Sequence, residues 1–270
     1  MTKRSGVVTA FVEEVDAEQG RVKVEYRSIQ EKLMSPWAYV ATPMSGKGRG
    51  QLFMPVKGDE VLVCHGDGDF DHPYVLGYLW NGEQTSPETD ADHRVIVTPG
   101  NNQLRFHDKA NERQVVLRSD AKRELLLDDK PSAGKVQLTS AEHHVLLDDS
   151  TGATKIEIKA GQAVGVTITL NATPQPSLSI QVGAGNTIDV SATGVSLTST
   201  GTLSITTAGT ASITAAGAVS VTAGGVATIT ASAVSVNSAV ATFSGVVVAS
   251  TVIANAIVSP LYTPGVGNIL

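Results

Sequence analysis

Alternation by two dominates the hydrophobic pattern of this chain, and helix-spaced apolar stripes are scarce. Near the front, "GVVTAFVEEVDAEQGRVKVEY" reads as two strands about the turn "DAEQG". "SPWAYVATP" is a third strand candidate, "GDEVLVCH" a fourth and "HPYVLGYLW" a fifth. Short strands separated by glycine-rich loops predict a small closed barrel of OB type over residues 1–82.

Further along, the alternation gains a second period. Gly201, Gly209, Gly217 and Gly225 lie eight residues apart. Between them fall the pairs Leu203 and Ile205, Ala211 and Ile213, Val219 and Val221, and Ala227 and Ile229, flanked mostly by Ser and Thr. Each octad predicts a short strand with one buried face, and the glycine predicts a corner. Repetition of one such unit is the signature of a solenoid. The expected shaft core is therefore Leu203, Ile205, Ile213, Val219, Val221 and Ile229. The phase slips near Val234 and Val236 and weakens towards Phe243. Upstream, "VGVTITL", "LSIQV" and "IDVSATGVSL" keep the alternation without the strict phase. One chain can wind such octads into its own β-helix, three to a coil. Three chains can instead wrap together, and both arrangements need about 24 residues per coil. The inward residues are only Ala, Val, Leu and Ile, which suits a slim intertwined shaft.

Composition sharpens this picture. Charge is dense up to Lys159, and beyond it Asp189 is the only Asp, Glu, Lys or Arg. Disorder requires the reverse, low hydrophobicity with high charge. Uncharged strands left free would aggregate, so the tract has to be paired. The net charge of −6 speaks against a general nucleic-acid binder. Cys64 is the single cysteine, so no intrachain disulfide framework exists. The N-terminus has no apolar h-region, and no run reaches the ~18 apolar residues of a spanning helix. The expectation is a protein made in the cytoplasm without a signal peptide.

The front of the chain carries a family resemblance. "SPWAYVATPMSGKGRG" followed by "MPVKGDEVLVCHGDGDFDHPYVLGYLWNG" resembles the OB domain of phage baseplate assembly protein V and of the valine-glycine repeat spikes of type VI secretion. The matching positions include Trp37, Gly46, Gly48, Gly50, Pro55, Gly58, Asp59, Gly77, Asn81 and Gly82. "GNNQLRFHDKANERQVVLRSDAKRELLLDD" is similar to the family's neck and first shaft strands, and "LLLDD" at Leu125 recurs as "VLLDD" at Val145. The ending, with Pro260, Tyr262, Pro264, Gly265 and Gly267, is similar to a spike apex. The resemblance implies an all-β homotrimer: an OB collar, an intertwined trimeric β-helix shaft and a short tip. Its implied segments are the collar at 1–82, a linker at 83–94, a charged neck and upper β-helix at 95–160, the octad shaft at 161–245 and the tip at 246–270. It implies a separate baseplate hub and tail tube as partners, a PAAR-type cap or effector at the tip, and the target cell's outer membrane. The mature place would be the baseplate of a phage tail or injection particle.

Departures from the family narrow the reading. No hub domain precedes the barrel, so the hub is expected to be another protein. Only "EQTSPETDAD" separates Gly82 from His93, so no lysozyme insertion fits there. No His follows His144, which removes the His-x-His iron apex of some phage spikes.

Other motifs carry little chemistry. Asp67, Asp69 and Asp71 are spaced like the start of a calcium loop, but position 12 is Tyr78 rather than Glu, so a solvated hairpin is expected. "GKGRG" lacks the spacing of a phosphate loop and reads as a contact to hub or tube. His143 and His144 are adjacent and point to opposite faces of a strand. Cys64 is expected inside the barrel, and Trp37 and Trp80 as core or interface anchors. A β-helix lyase or hydrolase would need paired carboxylates in a cleft, which the octads lack. An OB module for nucleic acid would need a basic groove with aromatic platforms. The expectation is a non-enzymatic spike without metal, cofactor or nucleic acid, with a receptor- or polysaccharide-binding tail adhesin as the alternative.

Overall fold

The computed structural model of the chain describes residues 6–30, 32–162 and 165–258. The expected apex residues Pro260, Tyr262, Pro264, Gly265 and Gly267 lie outside the described residues. The chain divides between Ser204 and Ile205 into two units. The protein is all-β: among the described residues its one helical element is the short 3-10 turn Gly66–Gly68.

The first unit opens with β1 (Val7–Asp16), β2 (Arg21–Glu25), β3 (Ala38–Val40), β4 (Ser45–Gly46), β5 (Arg49–Gly50), β6 (Glu60–His65) and β7 (Pro73–Tyr78). Five of these close a barrel in the order β1-β2-β3-β7-β6, the expected OB-type fold. Only β3 and β7 run parallel. The alternation in sequence is the alternation in space. Val22, Val24, Val61, Val63 and Val75 point inward and are fully buried, with Ala10, Val12, Tyr26 and Ala38 beside them. Register shifts at Val12/Glu14 in β1 and at Leu62/Val63 in β6 bend the strands. Cys64 takes the outward phase of β6 and is half-buried, so the expectation that it packs in the core does not hold. The core positions of that strand are Val61, Val63 and His65. The His65 Nε2 lies 3.1 Å from the buried Tyr26 hydroxyl. β4 and β5 stand outside the barrel as a two-stranded finger.

A second sheet follows: β8 (His93–Val97), β9 (Gln103–His107), β10 (Gln114–Arg118), β11 (Glu124–Asp128), β12 (Lys135–Ser140), β13 (His143–Asp148), β14 (Lys155–Ala160), β15 (Val166–Asn171), β16 (Ser177–Val182), β17 (Asn186–Ser191) and β18 (Gly194–Thr198). They form one 11-stranded sheet in strict sequence order, every neighbouring pair antiparallel. Each strand therefore pairs with its own chain neighbours, and β14 and β15 pair across residue 160. The turns use left-handed residues where the path reverses, among them Asn101, Lys122 and Ser132.

After Thr198 the self-pairing stops. Residues 201–258 contain no strand paired within the chain. The backbone bends at 200–201, 208–209, 216–217, 224–225 and 232, at intervals of the octad. Later bends at 239, 244–245, 250 and 255 follow a shorter spacing, where the sequence period also fails. Every described residue from Val190 onward is exposed.

Candidate functional site

Ladder pairing fixes which side chains share a face of the long sheet. One column runs Ile96, Leu104, Leu117, Leu125, Leu138, Val145, Ile158, Ile168, Ile180, Ile188 and Leu197, an aliphatic residue in every strand. The column beside it starts at Arg94 and continues Phe106, Val115, Leu127, Val136, Leu147, Ile156, Leu170, Leu178, Val190 and Val195. Among the described residues nothing covers this face: Leu117 is 55 % exposed, Leu138 56 % and Leu147 43 %. A contiguous apolar patch of this length marks an interaction surface. Each half-exposed Leu or Ile that becomes buried contributes about 1 kcal/mol.

The opposite face is mixed: Val95, Val116, Leu126 and Leu146 share its central column with Arg105, Gln137 and Glu157, and its flanks are mostly polar. Its flanking rows bear Asp128, Lys135, Asp148 and Lys155 in alternating sign along consecutive strands. Glu157 accepts from Lys155 Nζ at 2.9 Å and lies 2.7 Å from His144 Nε2. Those partners hold the Glu157 carboxyl below its usual range, Lys155 most of all. His143 turns the other way and its Nδ1 accepts the Gly161 N–H at 3.1 Å. Asp189 takes the Ser179 hydroxyl at 2.5 Å on this face.

The octad tract presents a second uncovered apolar set. Leu203 is 54 % exposed, Ile205 81 %, Ile213 83 %, Val219 57 %, Val221 83 % and Ile229 78 %. Gly201, Gly209, Gly217 and Gly225 each sit in one of the periodic bends. The Gly201 and Gly209 N–H groups are met by Ser199 Oγ and Thr207 Oγ1. The rest of the tract offers its backbone groups without strand partners in its own chain.

The barrel motif residues are spread over its loops and ends. Trp37 is half-buried beneath two cations, with Arg21 Cζ 4.8 Å and Lys23 Nζ 4.7 Å from its ring centre. Gly46 and Gly50 lie in the β4–β5 finger with Gly48 at its tip. Gly48 needs its freedom, at φ +68°, to close that two-residue turn. Pro55 is fully buried. Gly58 N–H donates to Val12 O at 2.8 Å, and the Asp59 carboxylate accepts the Val56 N–H at 2.9 Å. Gly77 lies at the register shift between β6 and β7. Asn81 ties the barrel exit, its Nδ2 donating to Glu60 Oε2 at 2.9 Å and its Oδ1 accepting the Glu83 and Gln84 N–H groups. Gly82 follows in the exposed linker. In the β6–β7 connection the Asp69 carboxylate is occupied by the Asp71 N–H and by His72. Outside the barrel, Tyr39, Tyr74, Leu76, Tyr78 and Trp80 form an exposed apolar series on β3, β7 and the exit.

Sequence reasoning did not find the neck cluster. Glu88 in the linker binds Arg105 and lies 3.2 Å from His93 Nδ1. The His93 and His107 rings meet across β8 and β9, tilted by 34° with centroids 4.2 Å apart. Two backbone N–H groups, from Asp90 and Thr89, followed by His93 and Arg105, bring the Glu88 carboxyl down to about 2. Burial, then the neighbouring charges of His93 and Arg105, push His107 below its ordinary value. These residues lie in the linker and two strands, so no local motif announced them.

Known proteins resemble this arrangement in part. The family model of the type VI secretion system/phage-baseplate injector OB domain matches residues 4–80. The type VI secretion system spike protein VgrG3 of Vibrio cholerae serotype O1 is 35 % identical over 111 residues, covering 36 % of this chain and 11 % of that protein. The spike protein VgrG1c of Pseudomonas aeruginosa is 29 % identical over 136 residues, 44 % of this chain and 19 % of that protein. The actin cross-linking toxin VgrG1 of Vibrio cholerae is 31 % identical over 112 residues, 37 % of this chain and 10 % of that protein. The match thus takes in no more than a fifth of the length of these relatives. Closed barrel, sequence motif and relatives agree: residues 4–80 match the injector OB-domain family of type VI secretion systems and phage baseplates, and the chain is similar to VgrG spike proteins.

Proposed function

We propose that this chain is the non-enzymatic central spike of a contractile injection machine, working as a homotrimer. The observation that carries the reading is the uncovered apolar face of the long sheet, two apolar columns from β9 to β18. Three such sheets set around one axis bury those columns together and leave the charged faces outside. The resulting prism has a dry centre and a wet surface. Further along the chain, the octad tracts of three copies supply one another's missing strand partners and wind into the shaft. Such a body acts by stiffness. Its shaft has no cleft, its outer Ser and Thr rows carry no charge, and it is built to be pushed through a target cell's outer membrane.

In this reading the barrel is the collar. Its β4–β5 finger, with Lys47 and Arg49, and the exposed series from Tyr39 to Trp80 offer contacts to a separate hub and the tail tube. The end of the chain serves as the apex, bare or beneath a PAAR-type cap or an effector. The chain itself carries out no catalysis. Its mature location is the baseplate of a phage tail, tailocin or type VI-like particle.

The test is the mass of the purified protein by light scattering, with negative-stain images. The expected result is three chains in a rod with a wide head. Leu138→Asp, which places a carboxylate in the apolar column, is expected to reduce the three-chain fraction at least tenfold while the barrel stays folded. A globular monomer for the unaltered chain sinks the proposal.

A further inference from the structure

The apolar columns of the long sheet say which faces meet, but not at what height. One column has an aliphatic residue in every strand, and the other is apolar from β9 onward. A neighbouring sheet slipped by two strands, about 9.6 Å, would still set apolar side chains against apolar ones. Something else has to fix the register. Charge is the feature that does not repeat evenly along the sheet: it is dense up to Lys159, and beyond it comes only Asp189.

Much of this charge lies at the two turn edges. The meander puts the turns 108–113, 129–134 and 149–154 on one edge and 119–123 and 141–142 on the other, one strand out of step. Several charges there are paired within the chain: Lys109 with Glu112, Arg118 with Glu124, Lys130 with Asp128 and Lys155 with Glu157. Asp148 holds the Ser150 N–H and hydroxyl. Down the first edge, Arg113, Asp129, Lys135 and Asp149 have no ion-pair partner among the described residues, although Lys135 shares its row with Asp128 and Asp148. Down the second, Asp120, Arg123, Glu142 and Lys159 have none either, and Asp120 accepts from Asn101 Nδ2 at 2.9 Å. Lys122 stands beside Arg123 with the same sign. Between β10 and β14 the first edge therefore reads plus, minus, plus, minus, and the second reads minus, plus, minus, plus.

We propose that the two edges of adjacent copies interlock as a charged seam, each turn of one copy seated between two turns of the next. Arg113 then faces Asp120 of the next copy, Asp129 faces Arg123, Lys135 faces Glu142 and Asp149 faces Lys159. This rests on the three-copy reading above. In a ring of identical copies one edge of each sheet meets the opposite edge of the next, so the partner that carries the complementary order is a second copy. A slip by two strands in either direction breaks at least two of the four pairings, and one of the two slips sets Lys135 against Lys159. Exposed pairs of this kind add little stability each. Their work is selection: they single out one height among those that the apolar columns accept equally.

The experiment uses the full chain with Cys64→Ser and cysteines at neutral turn positions. Ala121 and Ala133 lie in the turns at opposite ends of β11, a strand of five residues about 17 Å long, so a short bismaleimide cannot join them within one chain. A121C with A133C is expected to give a covalent three-chain band with bismaleimidoethane. A121C with A153C, one turn further along the edge, is expected to couple at least fivefold less. Asp129→Arg is expected to reduce the first band at least fivefold, and Arg123→Asp in the same chain to restore it. In a particle of three-chain mass, stronger coupling of A121C with A153C, a first band that Asp129→Arg leaves unchanged, or one that Arg123→Asp fails to restore overturns the seam and leaves the trimer standing. A particle of one-chain mass overturns both.

Discussion

His107 shows what one side chain contributes at the root of the long sheet. Its ring lies against His93, and its Nε2 is buried without a hydrogen-bond partner among the described residues. Around the pair stand Glu88, Asp90 and Arg105, with Gln114 opposite His107 on the next strand. Burial and the neighbouring positive charge keep His107 neutral below its ordinary value of 6.5. As pH falls through about 6.5, the unfolded chain takes up this proton before the folded one does, so stability drops until the folded value is passed. Glu88 acts in a lower window. Its carboxyl is held at about 2 against an ordinary 4.5, so its contribution is complete above 4.5 and disappears as pH falls towards 2. Melting temperature at a fixed scan rate is therefore expected to decline in two stages between pH 8 and 3. His107→Gln is expected to remove the upper stage and leave the lower one. Identical pH profiles for the two proteins would show that the neck does not depend on this ring.

At the scale of elements, the octad is the unit to test, because its length matches the spacing of the backbone bends at 200–201, 208–209, 216–217 and 224–225. Removing all of Gly217–Gly224 deletes one strand and one corner from every copy and rejoins Ala216 to Gly225 in phase. Removing only Val221–Gly224 keeps the alternation by two but leaves a half-length strand between Gly217 and Gly225. The first deletion is expected to leave the tract resistant to protease and the second to open it, as read by limited proteolysis and mass spectrometry. Equal resistance would mean that the glycines do not set the corners. This period was legible in the sequence because it is local, and so were the barrel strands, with inward valines alternating in β2 and β6. The repeat of "LLLDD" at Leu125 and "VLLDD" at Val145 was legible too, but its meaning was not. It spans two strands of a meander, with β11 and β13 in equivalent places. Alternation specifies a strand and its buried face, but it does not say which chain supplies the next strand. For that reason the end of self-pairing at Thr198 had no sequence mark. The neck cluster was hidden for a related reason: Glu88, His93, Arg105 and His107 are brought together by ladder register, not by spacing.

For the whole molecule, the change of pairing at β18 divides the proposed spike into two parts with different mechanics. In the long sheet each chain pairs its strands with its own neighbours, and the copies of the proposed trimer would meet only through side chains. In the octad tract the copies would hold one another's backbones, so no chain could leave without unwinding from the other two. Resistance to unfolding is then a rate set by the wound tract rather than an equilibrium set by total buried area. The inward phase of that tract should control the rate. In the proposed trimer Ile213→Asp would force a carboxylate into a narrow dry axis where no cation is available to pair with it, a costly burial. Thr214→Asp, the next residue, places the same charge on the wet side. Ile213→Asp is expected to raise the unfolding rate at high temperature at least tenfold and to abolish survival of the three-chain band in detergent. Thr214→Asp should behave like the unaltered protein within about threefold. Matching effects at both positions would mean that the tract has no inside, and a shaft without an inside cannot be the rigid element of a spike.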